Sequence, residues 1–386
     1  MFVLDNARIV DAARGVFAGH VVVDGERIAE VGEGRYAGEL EAVDLAGLLL
    51  MSGMVDIHIH GGWGHDFIRE PKVSVEAVGE RLAAEGTTSF LASLTVVSHA
   101  ELLELLADFP DPYRTAGARF WGVHSEGPFL SPAYKALMDE RYLRDFDARE
   151  FAEMVEAAHG ALKMMTAAPE RAGYLEVARE AERAGVVLMI GHSDARCREA
   201  RFALEHGARG FTHLYNAMSQ HTHRDPGIVT AALLGLGEYA ELICDGFHID
   251  PDVILATYRA RGSEGIILIT DAMLGRGMPD GEYVFSNLRC RKRGNTVRVV
   301  ETGRISGSAI SQLDAIRNVR AFTGCGLPEL ARMASLNPAR LLGIDGEVGS
   351  IAAGKLADML VLDDGLDLEA TYVGGRCVYD REGACA

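Results

Sequence analysis

Eight apolar segments, separated by stretches with helical periodicity, are the feature that most constrains the fold. The segments are "MVDIHIH", "TSFLASLT", "FWGVHSEG", "LKMMTAAPE", "VVLMIGHSD", "GFTHLYNA", "AELICDG" and "GIILITDA". Amphipathic helix candidates lie between them, among them "SVEAVGERLAAEG", "AREFAEMVEAAHG" and "GYLEVAREAERAG". Eight successive strand–helix units predict an α/β protein with a closed parallel (β/α)8 TIM barrel rather than an open sheet.

Both ends of the chain have a different pattern, with short alternating strands and turn signals. The N-terminal examples are "FVLDNARIV" and "GHVVVDGERIAEV", and the C-terminal one is "ATYVGGRCVYD". Because the two ends of a domain commonly lie close together, we predict that these strands form one small β-sandwich domain. The predicted division is residues 1–52 and 345–386 for the β-sandwich, and 53–344 for the catalytic barrel.

Polar residues follow the apolar segments almost immediately. They are His58 and His60 on the first, Glu126 on the third, His192 on the fifth, His213 on the sixth, His248 after the seventh and Asp271 on the eighth. In a TIM barrel, catalytic residues lie at the C-terminal ends of the strands. Imidazole and carboxylate groups together are the ligand chemistry of Zn²⁺, Fe²⁺ and related ions, so we predict a metal site at the barrel mouth.

The first segment carries its two histidines at alternate positions. In a strand, residues i and i+2 project from the same face, so His58 and His60 point together while Ile57 and Ile59 pack behind them. Two imidazoles on one face can share a metal ion. We therefore predict that both histidines are metal ligands.

The overall charge restricts the class of partner. The formal net charge of -18 argues against nucleic acid and against an anionic membrane surface. No apolar run approaches the roughly 18 residues of a membrane span, and the first residues lack a signal-peptide pattern. We expect a cytoplasmic protein that acts on a small molecule.

A series of motifs resembles the amidohydrolase superfamily and, within it, the N-acetylglucosamine-6-phosphate deacetylases. The motifs are "GMVDIHIHGG", "GVHSEGPFLSP", "TAAPE", "IGHSDA", "THLYNAM", "HRDPG", "DGFHID", "ITDAM", "SGSA" and "ASLNPARLLG". They run in the family's order across nearly the whole chain. The pair "HSEGPFL" and "THLYNAM" is the most specific to this family.

The resemblance implies a role for each residue of the metal site. Glu126, His192 and His213 match the principal ligands, whereas His58 and His60 match a second site that only some members have. Glu126 would then bridge two ions, and Asp271 matches the catalytic acid and base. The implied cofactor is one or two divalent ions, with zinc first and iron, cobalt or manganese as alternatives.

The resemblance also implies how the substrate is held. Asn216, the backbone at Ala217, and Arg224 match phosphate-binding positions, and His248 matches a sugar contact. Because the arginine can come from a neighbouring subunit in such enzymes, a homodimer is implied. The segment from Ser306 to Ser308 would lie near the acyl group.

The implied reaction is hydrolysis of the N-acetyl group of N-acetylglucosamine 6-phosphate, giving glucosamine 6-phosphate and acetate. The galactosamine epimer or another N-acyl amino sugar stays open as the substrate. A cyclic amidase or deaminase is a second alternative, disfavoured by the "YNAM" and "HRDPG" motifs. A non-catalytic relative should have lost ligands that this chain retains.

Three further positions need an interpretation. Met138 stands where the family commonly has a histidine or glutamine that contacts the substrate carbonyl, and methionine cannot donate a hydrogen bond. Either the metal polarises the carbonyl alone, the loop is shifted, or the acyl substrate differs. Lys163 is interpreted as structural, since Glu126 already supplies the bridging carboxylate that a carboxylated lysine provides in many relatives. His124 is predicted to support the ligands from behind.

Overall fold

The computed structural model describes residues 1–285 and 288–381. Residues 382–386, which belong to the predicted end domain, lie outside the described residues. The N-terminal strands are β1 (Phe2–Asp11), β2 (Gly15–Asp24), β3 (Arg27–Glu33), β4 (Ala42–Asp44) and β5 (Leu49–Ser52). The strands from the first barrel segment onward are β6 (Met54–Ile59), β7 (Gly61–Gly62), β8 (His65–Asp66), β9 (Thr87–Leu94), β10 (Tyr113–Arg114), β11 (Arg119–Glu126), β12 (Leu162–Ala167), β13 (Val187–Ile190), β14 (Ala208–Phe211), β15 (Tyr239–Ile243) and β16 (Ile266–Ile269). The remaining strands are β17 (Gly281–Phe285), β18 (Leu288–Arg293), β19 (Thr296–Val299), β20 (Ile305–Ser308), β21 (Met359–Leu362), β22 (Leu368–Val373) and β23 (Arg376–Asp380).

Helices follow most of the barrel strands. The α-helices are α1 (Pro71–Ala83), α2 (His99–Asp108), α3 (Ala148–Ala157), α4 (Tyr174–Ala184), α5 (Cys197–Glu205), α6 (Ile228–Leu233), α7 (Pro251–Arg261), α8 (Gln312–Thr323), α9 (Leu327–Ala331) and α10 (Asn337–Leu341). A π-helical turn at Arg332–Leu336 connects α9 to α10. Among the described helices, none combines the length and the apolar character needed to cross a membrane.

The predicted barrel is confirmed. Strands β6, β9, β11, β12, β13, β14, β15 and β16 pair in that order, each parallel to the next. The ring closes beyond the last strand, where Ile59 and Ala272 form a parallel bridge. There the backbone N–H of Asp271 donates to the carbonyl of His58 at 2.8 Å. The closure therefore brings the first and eighth strand ends into direct contact.

The residue pattern explains why these segments form strands and helices. Strand β16 consists of four buried aliphatic residues, as expected for a parallel strand covered on both faces. Helix α4 instead buries Tyr174, Val177, Ala178 and Ala181, which is the spacing of one helical stripe. Gly185 ends α4 with φ 68°, a left-handed conformation that glycine adopts without a side-chain penalty.

Strands from both chain ends form one eight-stranded sheet, as predicted. Strand β21 pairs antiparallel with β5, so that Leu360 lies opposite Met51. The sheet wraps round until Arg27, at the start of β3, bridges Leu356, just before β21. It encloses a separate apolar core, formed by Leu4, Ala7, Ile9, Val21, Val23, Ile28, Leu45, Leu50, Ile351, Ala357, Met359, Val361, Ala370 and Tyr372. The division at residues 52 and 345 stays a prediction.

A four-stranded antiparallel sheet, β17–β20, is inserted between β16 and α8 and was not predicted. The alternation in "GEYVF" and "TVRV" is the signal that indicates it. The apolar face of this sheet packs Phe285, Cys290 and Val297 against Met273, which lies just beyond β16. The insert thereby carries its last strand, β20, to the mouth of the barrel, where Ser308 bridges Ala272.

Candidate metal centre and active site

Three side chains from three strand ends meet inside the barrel mouth. Oε1 of Glu126 lies 3.0 Å from Nε2 of His192 and 2.9 Å from Nε2 of His213. The two Nε2 atoms are 3.1 Å apart. All three residues are buried. This triad is a group that could hold a metal ion.

A second group of three lies beside the first. Nε2 of His58 is 3.2 Å from Nε2 of His60, which in turn is 3.3 Å from Oδ1 of Asp271. The other oxygen of Glu126, Oε2, lies 3.4 Å from Nε2 of His60. Glu126 thus faces both groups, which is the arrangement that the bridging prediction requires.

Hydrogen bonds at the rear of the rings determine which nitrogen faces the centre. Nδ1 of His192 lies 2.8 Å from the carbonyl of Tyr134, and Nδ1 of His60 lies 3.2 Å from that of Ser93. A carbonyl only accepts, so Nδ1 carries a hydrogen and Nε2 is the nitrogen that faces the centre. Nδ1 of His58 faces the carboxylate of Glu241 at 3.1 Å, with the same consequence.

This arrangement supplies a test of whether a metal ion fits. Nε2 of His58 and Nε2 of His60 face each other at 3.2 Å. Two imidazole nitrogens this close share either a proton or a metal ion, and the carboxylate oxygens of Glu126 and Asp271 face the same point. Imidazole nitrogens with carboxylate oxygens are suitable ligands for Zn²⁺, Fe²⁺, Co²⁺ and Mn²⁺, so the donor set fits a divalent ion without choosing among these.

The charges of the site also favour a cation. Burial by itself lowers the pKa of His58, but the hydrogen bond to Glu241 and the charge of Asp271 raise it to about 10. Burial opposes ionisation of Glu126, whose pKa is nevertheless held well below its ordinary value by His192 and His213. The pKa of Asp271 is also lowered, chiefly by its hydrogen bond to His60, against the effect of burial. The carboxylates that favour a proton on His58 favour a divalent cation for the same electrostatic reason.

Backbone strain is concentrated at the same place. His192, His213, Ala217 and Asp271 have φ of 48°, 29°, 47° and 47°, in the region that side chains with a Cβ rarely adopt. Each such residue costs on the order of 1–3 kcal/mol and persists only where its surroundings hold it. Strain of this kind is common at functional sites, and His192, His213 and Asp271 are each members of one of the two ligand groups.

A cavity of about 490 Å³ opens above the metal groups. Of the predicted site residues, it is lined by His60, Glu126, His192, His213, Asn216, Ala217, His248 and Asp271. His248 is held at the rim by Asp245, whose Oδ2 is 2.7 Å from its Nδ1. Ser306 and Gly307 of β20 also line the cavity, and their place near the acyl group stays a prediction.

Two predicted positions need separate comment. Met138 lines the cavity, so the loop after β11 does bring this position to the site, and it presents an apolar side chain there. Arg224 is exposed and is not among the residues that line the cavity of its own chain. Its predicted phosphate contact would therefore have to come from a second copy of the chain.

His124 lies directly behind the ligands. Its Nδ1 is 3.0 Å from Oγ of Ser93, its Nε2 is 2.8 Å from Oγ1 of Thr166, and its ring meets the ring of His58 edge-on at 4.5 Å. Burial lowers the pKa of His124 well below its ordinary value. A neutral His124 is thus packed against His58, where the sequence places a supporting residue.

Sequence reasoning missed Glu241 and Tyr134. Glu241 is completely buried in β15 and contacts His58. A lone glutamate within the apolar segment "AELIC" is a signal that could have revealed it, because a carboxylate is rarely buried without a partner. Tyr134 contributes only its main-chain carbonyl, which leaves no mark in the sequence.

Lys163 lies away from the metal groups. Thr166, near the C-terminal end of β12, faces the barrel interior, where it contacts His124, whereas Lys163 is the second residue of the strand, at a shift in its pairing with β11. Lys163 is half-buried. We expect Lys163→Ala to keep the parent's metal content and to change kcat/KM by no more than about twofold, as for an ordinary surface substitution. Loss of one equivalent of metal, measured by elemental analysis, would contradict this interpretation.

Comparison with known proteins identifies the family. The model of the Amidohydrolase family matches residues 49–378. The chain belongs to the amidohydrolase family. A Bacillus subtilis protein named N-acetylglucosamine-6-phosphate deacetylase is 34% identical over 371 residues, covering 94% of this chain and 93% of that protein. An Escherichia coli O157:H7 protein named N-acetylgalactosamine-6-phosphate deacetylase is 33% identical over 330 residues, covering 85% and 87%.

One solved structure matches this chain over nearly its whole length. It is the N-acetyl-D-glucosamine-6-phosphate deacetylase of Mycobacterium smegmatis, in an aspartate-to-alanine variant that binds N-acetyl-D-glucosamine 6-phosphate. The TM-score is 0.90 at 30% identity, and the match covers 98% of this chain and 99% of that one. Membership in this family accounts for the (β/α)8 fold. It also implies a divalent metal ion and the hydrolysis of an amide bond.

Proposed function

We propose that this amidohydrolase removes the N-acetyl group of N-acetylglucosamine 6-phosphate, giving glucosamine 6-phosphate and acetate. The observation that carries the proposal is one cavity lined by all of the first ligand group, by His60 and Asp271 of the second, and by Asn216, Ala217 and His248. The relatives of similar length with this activity support the same substrate. A phosphorylated amino sugar has a size suited to a cavity of this volume.

Glu126, His192 and His213 would hold the principal ion, and His58 and His60 a second one. A bound divalent ion supplies Lewis acidity, which polarises the amide carbonyl and makes water acidic enough to yield hydroxide near neutral pH. We take zinc as the first choice on the basis of the donor set, with iron, cobalt and manganese as alternatives.

Asp271 is placed to move the proton. Its pKa is lowered by His60 and His58, so it is a carboxylate that can accept a proton from the attacking water. As the water oxygen bonds to the acetyl carbon, that proton passes to Asp271. The carbon–nitrogen bond then breaks while Asp271 returns the proton to the departing nitrogen, because an amide anion is a very poor leaving group. The products are acetate and the free amine.

The sugar end of the substrate would lie against the rim of the cavity. Nδ2 of Asn216 donates to the carbonyl oxygen of His213 at 3.2 Å, which fixes its amide beside the ligand strand. His248 is oriented by Asp245 through both its ring and its main-chain N–H. Met138 itself offers no hydrogen bond to the carbonyl, so a bound divalent ion would supply the polarisation of the carbonyl that a histidine or glutamine gives at this position.

Arg224 is our candidate for the phosphate group, contributed across a homodimer. Its neighbour Asp225 is paired with Arg196, so the Arg224 charge is not neutralised by the adjacent carboxylate. Arg224→Ala should raise KM for the phosphorylated sugar and lower kcat/KM about ten- to a few-hundredfold, since charge-assisted contacts are worth roughly 1.5–3 kcal/mol. Activity on the unphosphorylated sugar should barely change. Arg201→Ala, at an exposed arginine on α5, is the matched control.

Subunit mixing tests whether Arg224 acts across the interface. Arg224→Ala and Asp271→Asn subunits, each poorly active alone, should regain activity when they are mixed and allowed to exchange. One site of the mixed dimer then has an intact Asp271 and receives Arg224 from its partner. No gain on mixing, with exchange demonstrated, would show that Arg224 does not act in trans.

The galactosamine epimer is the second candidate substrate, since one relative with that activity is 33% identical. It is less favoured for two reasons. The Bacillus subtilis relative, which matches a larger share of the chain, is named N-acetylglucosamine-6-phosphate deacetylase. The Mycobacterium smegmatis structure, which contains the bound sugar phosphate, has the same name. Acetate release from both epimers, with and without the 6-phosphate, decides between them. A preference for unphosphorylated sugars would overturn the phosphate assignment. The cytoplasmic location stays a prediction.

A further inference from the structure

Glu241 is a fully buried carboxylate that takes no part in the mechanism described above. It lies on β15, the seventh barrel strand, and its side chain points inward. Oε2 lies 3.1 Å from Nδ1 of His58 and accepts a hydrogen bond from the backbone N–H of His213 at 3.0 Å. Oε1 has no hydrogen-bond partner within the described part of the chain.

The contact to His58 has a definite consequence for the ring. Oε2 already accepts from the backbone N–H of His213, and as an acceptor it also holds a hydrogen of His58 on Nδ1. The other nitrogen, Nε2, thereby points toward His60, Glu126 and Asp271, where it can serve as a metal ligand. A carboxylate behind a metal-binding imidazole also makes that imidazole a stronger ligand.

The same oxygen also connects the two ligand groups. Through His58 it contacts the group of His58, His60 and Asp271, and through the backbone of His213 it contacts the group of Glu126, His192 and His213. The contact to the second group is made to the main chain, so the side-chain chemistry of Glu241 acts on His58 alone. Removing its charge should affect the two groups unequally.

We propose that Glu241 is a positioning residue that aims Nε2 of His58 and so determines whether the chain holds a second divalent ion. The inference rests on the metal site of the proposed function and not on the identity of the sugar. Glu241 does not touch substrate. Its effect passes through one imidazole and appears first as the affinity of the second ion.

The test is a Zn²⁺ titration of protein freed of metal by a chelator, followed by competition with a chromophoric chelator. The parent should take up two equivalents. Glu241→Gln retains an oxygen that can accept from both N–H groups and removes only the charge. It should weaken the second Zn²⁺ about tenfold, and Glu241→Met, which removes the acceptor as well, should weaken it about a hundredfold, the range found for residues that orient metal ligands. The affinity for the first Zn²⁺ equivalent should change much less in Glu241→Gln.

Two controls separate positioning from a general effect on folding. Asp358→Asn removes another buried carboxylate, which lies just before β21 and accepts from the backbone N–H of Gly374. This substitution should leave both affinities unchanged. In a double-mutant cycle, the second site of His58→Ala is titrated at Zn²⁺ concentrations high enough to fill it despite its weakened affinity. Adding Glu241→Gln to that variant should not weaken this affinity further if Glu241 acts through His58.

The outcomes are distinct. Uptake of a single equivalent by the parent, an unchanged second affinity in both Glu241 variants, or equal losses at both ions in Glu241→Gln would each overturn the role of Glu241. Normal two-ion uptake by a parent that does not deacetylate amino sugar phosphates would instead overturn the proposed substrate and leave the role of Glu241 intact.

Discussion

Asp271→Asn is expected to reduce kcat at least about 10²-fold, the usual scale for loss of a general acid–base group. Asparagine preserves the size of the side chain but cannot take a proton from water. The backbone N–H that donates to His58 is unaffected, so the closure of the barrel is retained. The measurement is single-turnover acetate release, together with substrate binding, which should persist.

Two controls accompany this prediction. Metal content must be measured in the same samples, because Asp271 also belongs to the group with His58 and His60. Asp194→Asn alters an exposed carboxylate two residues after His192 and should keep near-parent turnover. An Asp271→Asn enzyme with full metal content and near-parent kcat would remove Asp271 from the proton-transfer role.

His192→Ala and His213→Ala are expected to lose most of the tightly bound metal and, with it, measurable turnover. Each substitution deletes one of three ligands that meet at 2.9–3.1 Å and leaves Glu126 buried without that partner. An uncompensated buried carboxylate destabilises the fold by several kcal/mol, so we also expect a lower Tm.

Elemental analysis of the purified variants is the deciding measurement. His221→Ala, at an exposed loop histidine that contacts Thr230, is the control and should retain the parent's metal content. Full occupancy in both His192→Ala and His213→Ala would refute the assignment of the principal site. Loss of a single equivalent in His58→Ala, with the other retained, would support the two-ion interpretation.

The barrel was predictable because its signals are local and repeated. Each strand is a run of apolar residues that the helices and the barrel interior cover on both sides, and β16 is the plainest case. The rule that functional residues lie at the C-terminal ends of barrel strands is enough to single out Glu126, His192 and His213 as candidates from the sequence alone. The period of two in the first strand likewise indicated that His58 and His60 point together.

The insert β17–β20 was missed for a physical reason. Its strands alternate between an apolar face and an arginine-rich exposed face, and no strand is buried on both sides. Such alternation is a weaker strand signal than the continuous apolar segments that form the barrel strands. Glu241 was missed because a single charge in an apolar strand shows that a partner must exist and does not show which residue it is.

Taken alone, the sequence determined the number of strand–helix units, the pairing of the chain ends and the residue types at the strand ends, because hydrophobic periodicity and side-chain chemistry are properties of the chain itself. Only the tertiary structure decided that Glu126 faces both ligand groups and that Glu241 lies behind His58. It also decided that Lys163 lies away from the metal groups and that Arg224 does not line the cavity of its own chain. Each of these depends on distances of a few ångströms between residues far apart in the chain. Such distances are determined by barrel closure and by strained backbone at the strand ends, neither of which a local pattern encodes.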